Sequence, residues 1–252
     1  MKKKKNIAII FAGGYWSRMG STIPKQFMTV YWKEIIIHTL ERFQCNDNID
    51  LIYVWCIAKY ISHLESLVEK YHITKIPKGG IVPGGDSWQD TIYKVLNRAS
   101  EDNTGESICL IHDWVRPVIT DDVINANIKS VEKHGSAITA TKAFETPILS
   151  LDGKEVNEVL ERNLVYTAQA PQSFILDDIL SAHEKVRSSE LGYNNPKIVD
   201  SCSLMKECGN SVHLIEGNRW NIKVTTQEDY ITLLWNLEIN DYLQIFNLWK
   251  SN

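Results

Sequence analysis

The sequence predicts an α/β fold: a Rossmann-like, three-layer, mostly parallel sheet with helices on both faces. Three features point there. Apolar strand-like runs at 6–12, 50–58, 107–111 and 136–142 alternate with helical patterns at 34–45, 60–71, 88–99 and 121–134. The first run feeds directly into the turn Ala12-Gly13-Gly14, at the strand end where such sheets place ligands. A length of 252 residues with 44% hydrophobic content fits one α/β domain with a full core.

The chain opens on Lys2 to Lys5, a basic run read as a solvated tail, and the apolar stretch after it is too short for a signal peptide. After the first strand, Gly13 and Gly14 let the backbone turn sharply and bring its N–H groups against a ligand, while Arg18 and Lys25 add charge and Pro24 stiffens the approach to Lys25. Two cations on a glycine turn point to a polyphosphate; an ordinary strand-to-loop turn with solvated cations is the plain alternative. His112-Asp113 follows the strand Ile108 to Ile111 and so falls at the same sheet edge.

The alternation breaks between about 143 and 170. There Pro147, Asp152-Gly153 and the alternating run Glu155 to Leu160 predict a hairpin-like protruding arm. The sheet is expected to resume at 212–216 and 221–224. Residues 227–249 carry apolar side chains at helical spacing, which predicts a helix packed on the domain or a partner subunit, with membrane-surface attachment the weaker option.

A net charge of −4 and a pI near 6.0 argue against nucleic-acid binding. No run approaches the roughly 18 apolar residues of a membrane span. The five cysteines are scattered and lack paired zinc-site spacings, so they read as reduced thiols in a cytoplasmic protein.

Further motifs join the first turn. They are Arg18-Met19-Gly20, Pro24-Lys25-Gln26-Phe27, Gly84-Gly85-Asp86, Ile111-His112-Asp113 with Val115-Arg116-Pro117, Ala170-Pro171-Gln172, and Glu216-Gly217 ahead of Asn221 to Asp229. In this order and spacing the chain resembles the cytidylyltransferases that form CDP-activated sugar alcohols, the group of 2-C-methyl-D-erythritol 4-phosphate and ribitol-5-phosphate cytidylyltransferases. The resemblance covers about residues 6 to 230. It implies a fold like that of nucleotide-diphospho-sugar transferases over 1–252, with the arm at about 143–170 and a terminal helical segment at about 227–250.

The resemblance further implies transfer of CMP from CTP to a sugar-alcohol phosphate, with Mg²⁺, in a homodimer formed through the arm. Arg18, Lys25 and Lys223 are the implied catalytic residues: the first two serve the triphosphate, and Lys223 steadies the α-phosphate and the incoming phosphate. Ala12, Gly13, Gly14, Gly85, Asp86, Thr91 and Asp113 are implied for the nucleotide, Asp113 also for the metal. Arg116, Thr146 and Arg162 are implied for the acceptor, the last two reaching across the dimer. A polyol such as ribitol 5-phosphate is favoured because Ala12-Gly13-Gly14 and Gly217 to Asn221 look closer to the surface-polysaccharide branch than to isoprenoid synthesis.

These residue types suit the chemistry on its own terms. An anionic phosphate monoester attacking a nucleoside triphosphate needs cations above all, and no general base, because its oxygen is already ionised at neutral pH. Plainer readings stand beside the functional ones: Asp113 as a helix cap or turn residue, His112 as a structural histidine, Arg162 as a surface ion pair. Lys223, read as lying within an apolar strand, would need a partner anion.

Several tryptophans depart from the family pattern. Trp16 stands where a small residue is usual, Trp88 where Arg is, Trp114 where Ala is, Trp32 where Gly is and Trp55 where Val is; Ala170 replaces a common Thr. Trp16, Trp88 and Trp114 are expected to converge near the CTP site, either remodelling it or leaving a silent nucleotide-binding or dimeric module. An NAD-dependent oxidoreductase is disfavoured, because the first turn lacks Gly-x-Gly-x-x-Gly.

Overall fold

The computed structural model describes residues 3–12, 27–85 and 87–245, with the backbone alone at 12 and 240–245. The first half runs β1 (Asn6–Ala12), β2 (Thr29–Val30), β3 (Lys33–Glu34), α1 (Ile35–Cys45), β4 (Leu51–Cys56), α2 (Ile61–Lys70), β5 (Ile81–Pro83), α3 (Trp88–Asp102), β6 (Ile108–Asp113), α4 (Asp121–His134) and β7 (Ser136–Lys142). The second adds β8 (Ile148–Leu149), β9 (Glu158–Val159), β10 (Tyr166–Ile175), α5 (Leu176–Arg187), α6 (Ser201–Glu207), β11 (Leu214–Glu216) and α7 (Gln227–Ile245).

Seven strands form one sheet in the order β11-β7-β10-β6-β1-β4-β5. β1 pairs parallel with β4 and β6, β4 with β5, and β7 with β11. Among the described strands of this sheet, only β10 runs against its neighbours, β6 and β7. β1 shows why the sheet is central. Ala8 and Ile10 join the core layer that includes residues of α1, α2 and α4, while Ile7, Ile9 and Phe11 join the layer with α3 and α5. Each fully buried Ile contributes about 1.5–3 kcal/mol of transfer free energy.

The predicted alternation of strands and helices through residue 142 agrees with this architecture to within a few residues at each end. Three expectations change. Asn221 to Val224 is not a strand. It is an irregular segment tied to the chain after β6 by the Val224 N–H to Val115 carbonyl bond of 2.9 Å. The arm is narrower than 143–170, because Tyr166 to Ala168 already pair with β7. Its tip is the β8–β9 hairpin, where the Asp152 carboxylate accepts from the backbone N–H of Lys154 (2.8 Å) and Glu155 (3.0 Å) and Gly153 supplies a φ of 72°. Between β10 and β11 the chain forms α5 and α6, which the strand-and-turn reading did not mark.

α7 packs on the domain as expected: Leu233 is buried and Tyr230, Leu234 and Leu237 lie against the core, while Ile231, Trp235 and Ile239 stay exposed. Among the described residues no helix is long and apolar enough to cross a membrane. All five cysteines are free thiols.

Candidate active site

A cavity of about 370 Å³ opens at the carboxyl ends of β1 and β6. Phe11, Ile111, His112, Asp113 and Arg116 line its floor, Trp88 and Ile92 of α3 one wall, Ala168 to Ala170 with Gln172 and Val199 to Ser201 the other, and Lys223 also borders it. The bulge that interrupts the β10–β7 register between Ala168 and Gln172 carries the backbone past the cavity, and the Ala170-Pro171 peptide there is cis.

Asp113 ends β6, and its carboxylate is shared by two cations. The Arg116 guanidinium donates from Nε at 3.0 Å, and the Lys223 ammonium lies 3.2 Å from both carboxylate oxygens. Arg116 also donates from Nη1 to the Asn221 carbonyl at 2.7 Å, and the Asn221 amide donates to the Ala170 carbonyl at 2.7 Å. Those two bonds pin the 221–224 segment and so bring Lys223 to a carboxylate 110 residues away. Burial pushes the Asp113 carboxyl up, but the Lys223 and Arg116 charges more than offset it and hold the group below its ordinary 3.8.

The expectation for Lys223 is half met. It has its anion, yet its side chain is 45% exposed rather than buried in a strand, which leaves the ammonium open to a ligand. Its Nζ also stands 6.0 Å from the centre of the Trp88 ring, which rests on Phe11 at 5.1 Å.

His112 is fully buried and serves the frame. Its Nε2 donates to the Arg116 carbonyl at 3.1 Å, closing the turn after β6, and burial lowers its pKa to about 4. The ring is neutral, and its Nδ1 has no hydrogen-bond partner among the described residues.

The loop before α3 is built from the inside. Ser87 caps the helix by accepting from the Asp90 N–H at 3.1 Å. The Thr91 hydroxyl donates to the Ser87 carbonyl at 2.8 Å and accepts from the Gly85 N–H at 3.0 Å. Thr91 is therefore buried and engaged within the loop. Both glycines are required by close approach: a Cβ on Gly84 would strike the Trp55 indole, and one on Gly85 the Asp90 carboxylate. Gln89, also buried, leaves both amide atoms without a partner among the described residues.

Of the remaining expected site residues, Ala12 ends β1 opposite Cys56. Gly13, Gly14, Arg18, Lys25 and Asp86 lie outside the described residues, as does Trp16. Thr146 and Arg162 are exposed on the arm and do not line the cavity; Arg162 donates to the Phe144 carbonyl at 3.4 Å.

Trp114 corrects an expectation. It does not crowd the site but is buried in the α1 and α4 layer, because the residue after Asp113 faces the other side of the sheet, and its carbonyl accepts from the Thr39 hydroxyl at 2.6 Å. Trp88 does line the cavity. Trp32 is 94% exposed. The sequence reading did not place Gln172 and Asp200 in one wall, where the Gln172 amide donates to the Asp200 carboxylate at 2.7 Å and accepts from the Cys202 N–H at 2.8 Å. A signal for Asp200 was present: Asp200 and Ser203 have capping-box spacing ahead of Leu204 and Met205.

Comparison with known proteins identifies the family. Residues 6–235 match the family model described as IspD, 2-C-methyl-D-erythritol 4-phosphate cytidylyltransferase. The chain is 43% identical over 242 residues to a ribitol-5-phosphate cytidylyltransferase of Vibrio parahaemolyticus, covering 96% of this chain and 99% of that one. It is 34% identical over 227 residues to a 2-C-methyl-D-erythritol 4-phosphate cytidylyltransferase of Clostridium botulinum, covering 90% and 95%. Among solved structures, 4-diphosphocytidyl-2C-methyl-D-erythritol synthase of Anaerococcus prevotii superposes with a TM-score of 0.79 at 27% identity, covering 93% of this chain and 96% of that one. The chain belongs to the 2-C-methyl-D-erythritol 4-phosphate cytidylyltransferase (IspD) family.

Proposed function

We propose that this protein transfers CMP from CTP to a sugar-alcohol phosphate and releases pyrophosphate, with ribitol 5-phosphate as the acceptor. The observation that carries the reading is the meeting of Lys223 and Arg116 on Asp113 in a cavity at the strand ends of a chain from this family. The choice of ribitol rests on 43% identity to a ribitol-5-phosphate enzyme against 34% to a methylerythritol one.

In this reaction an ionised acceptor phosphate oxygen bonds to the α-phosphorus of CTP as the α–β bridging bond breaks, and the electron pair leaves on pyrophosphate. No proton has to be removed. The chain's task is to draw two anions together, and the half-exposed Lys223 ammonium is held where it can exchange some of its contact with Asp113 for phosphate oxygens. Arg116 keeps Asp113 fixed meanwhile. Arg18, Lys25 and the turn Ala12-Gly13-Gly14 serve the triphosphate in this reading, and Gly85, Asp86 and Thr91 shape the cytidine end.

Among the described residues no three His, Cys, Asp or Glu side chains gather as a metal cluster. A single carboxylate completed by substrate phosphates and water is, however, a common Mg²⁺ arrangement, and Asp113 at the cavity floor fits it. Asp113 would hold the Mg²⁺, which would offset negative charge on the substrate phosphates and the leaving group.

We infer in addition a homodimer through the arm. Ile148, Leu149, Leu151, Val156, Val159 and Leu164 are all exposed on it, more apolar surface than a solvated hairpin needs. Thr146 and Arg162, away from their own cavity, then serve the partner's acceptor. The free thiols suit the cytoplasm, and the single seven-stranded sheet supports one catalytic domain.

Pyrophosphate release from CTP with Mg²⁺ and a panel of alditol phosphates tests the reading. Ribitol 5-phosphate is expected to give one CDP-ribitol per pyrophosphate. Absence of pyrophosphate with every acceptor would overturn it. Light scattering of the chain and of a 148–159 deletion is expected to give a dimer and a monomer.

A further inference from the structure

We propose that the Asp90–Arg187 ion pair is a clasp that fixes the spacing between the two walls of the cavity, making Asp90, Arg187 and Tyr193 positioning residues although none of them lines it. One wall hangs on the first turn of α3, through Trp88 and Ile92; the other is Val199 to Ser201, which follows the loop after α5. The clasp joins these two segments outside the cavity.

Its geometry is specific. Arg187, the last residue of α5, donates from Nη1 to the Asp90 carboxylate at 2.6 Å. Its guanidinium lies 4.3 Å from the ring centre of Tyr93 on α3 and 5.9 Å from that of Tyr193 on the loop. The Tyr193 hydroxyl is in turn 2.7 Å from Nδ1 of His183, itself fully buried on α5. From Tyr193 the chain passes a turn closed by the Ile198 N–H to Asn195 carbonyl bond of 3.0 Å and arrives at Val199.

On the other side, the Asp90 carboxylate fills the space that a Cβ of Gly85 would occupy, so the loop before α3 lies directly on it. The Gly85–Thr91 and Thr91–Ser87 hydrogen bonds tie Gly85 to residues 87–91. Moving the Asp90 carboxylate therefore shifts the loop that leads into Trp88 at the start of α3. The Arg187 side chain is 42% exposed and the Asp90 side chain 17%, and what the pair supplies is placement.

The test uses the full chain with Arg187→Met, Arg187→Lys and Asp90→Asn. Arg187 is 42% exposed, so these variants are expected to fold. Amide hydrogen exchange at 84–88 and 199–203 is expected to speed by about 5-fold or more in R187M and D90N, with R187K between them and wild type and β6 unchanged. KM for CTP is expected to rise about 5–20-fold while kcat stays within about 2-fold. The kinetic arm alone rests on the cytidylyltransferase reading. Faster exchange confined to the end of α5, or an unchanged KM in a chain whose wild type turns over, would overturn the clasp. A wild type without turnover would overturn the activity instead, and exchange would still decide the clasp.

Discussion

Asp113 and Asp90 are each held between an arginine and a lysine, and each arrangement has a buried, neutral histidine close by. Asp113 is gripped by Arg116 and Lys223 on the floor of an open cavity; Asp90 is gripped by Arg187 and Lys94 on the outside of α3, with Gly85 against it. The same three charge types thus have different consequences according to what covers the carboxylate. Where the cavity leaves room, the ion pairs hold charge ready for a ligand. Where backbone covers the carboxylate, they hold shape.

The contrast can be broken most forcefully at Asp113. Asp113→Asn is expected to lower kcat/KM by about 10²–10³, because the site loses its anchor for Lys223 and the charge of a floor carboxylate. The two lysines sharpen it further. Lys223→Met is expected to cost about 10² in kcat/KM, whereas Lys94→Met, on a 47% exposed i,i+4 pair, is expected to change stability by less than about 1 kcal/mol and leave turnover intact. Equal losses in a steady-state assay would erase the distinction.

Gly85→Ala places a methyl on the Asp90 carboxylate and is expected to destabilise by about 1–3 kcal/mol in denaturant melts, while the Asp113 site keeps its charges. Acid addresses both regions together. Burial lowers His112 to about 4 and His183 to about 3, so the unfolded chain, with histidines near 6.5, takes up these protons first. Stability is therefore full above pH 6.5 and falls as the pH drops through that window, by about 1.4 kcal/mol per unit per histidine. Asp113 has the depressed folded value of a paired carboxylate; its contribution is present above 3.8 and is lost as the pH falls below that. Chemical denaturation from about pH 7 to 4 is expected to show a flatter slope in H112Q and in H183Q alike. The smallest effect is expected at Gln89→Met, which removes a buried amide without a partner among the described residues and is expected to leave the melting temperature unchanged or slightly raised.

Much of the fold was legible because the parallel strands are covered on both faces and read as continuous apolar runs, as Ile7 to Phe11 does. That Asp113 and Lys223 share one place was legible through the family resemblance, which implies both for one site. What was not legible was their cause of meeting. Lys223 reaches Asp113 because Asn221 is bonded through both its backbone and its side chain, and neither bond leaves a periodic pattern. Trp114 was misplaced for a related reason: a motif fixes which residues are neighbours in the chain, whereas the side of the sheet on which each one falls is set by alternation from Asp113. α5 has a signal of its own in Leu176, Ile179, Leu180 and Val186, which keep helical spacing.

The tie from Arg116 to the Asn221 carbonyl bears on how the protein is made. A ribosome releases β6 and its carboxylate long before it reaches residue 221, so Arg116 alone must balance Asp113 while half the chain is still unwritten. The cavity is therefore completed late, and a nascent or prematurely terminated chain lacking 221–224 never gains the Lys223 ammonium beside Asp113.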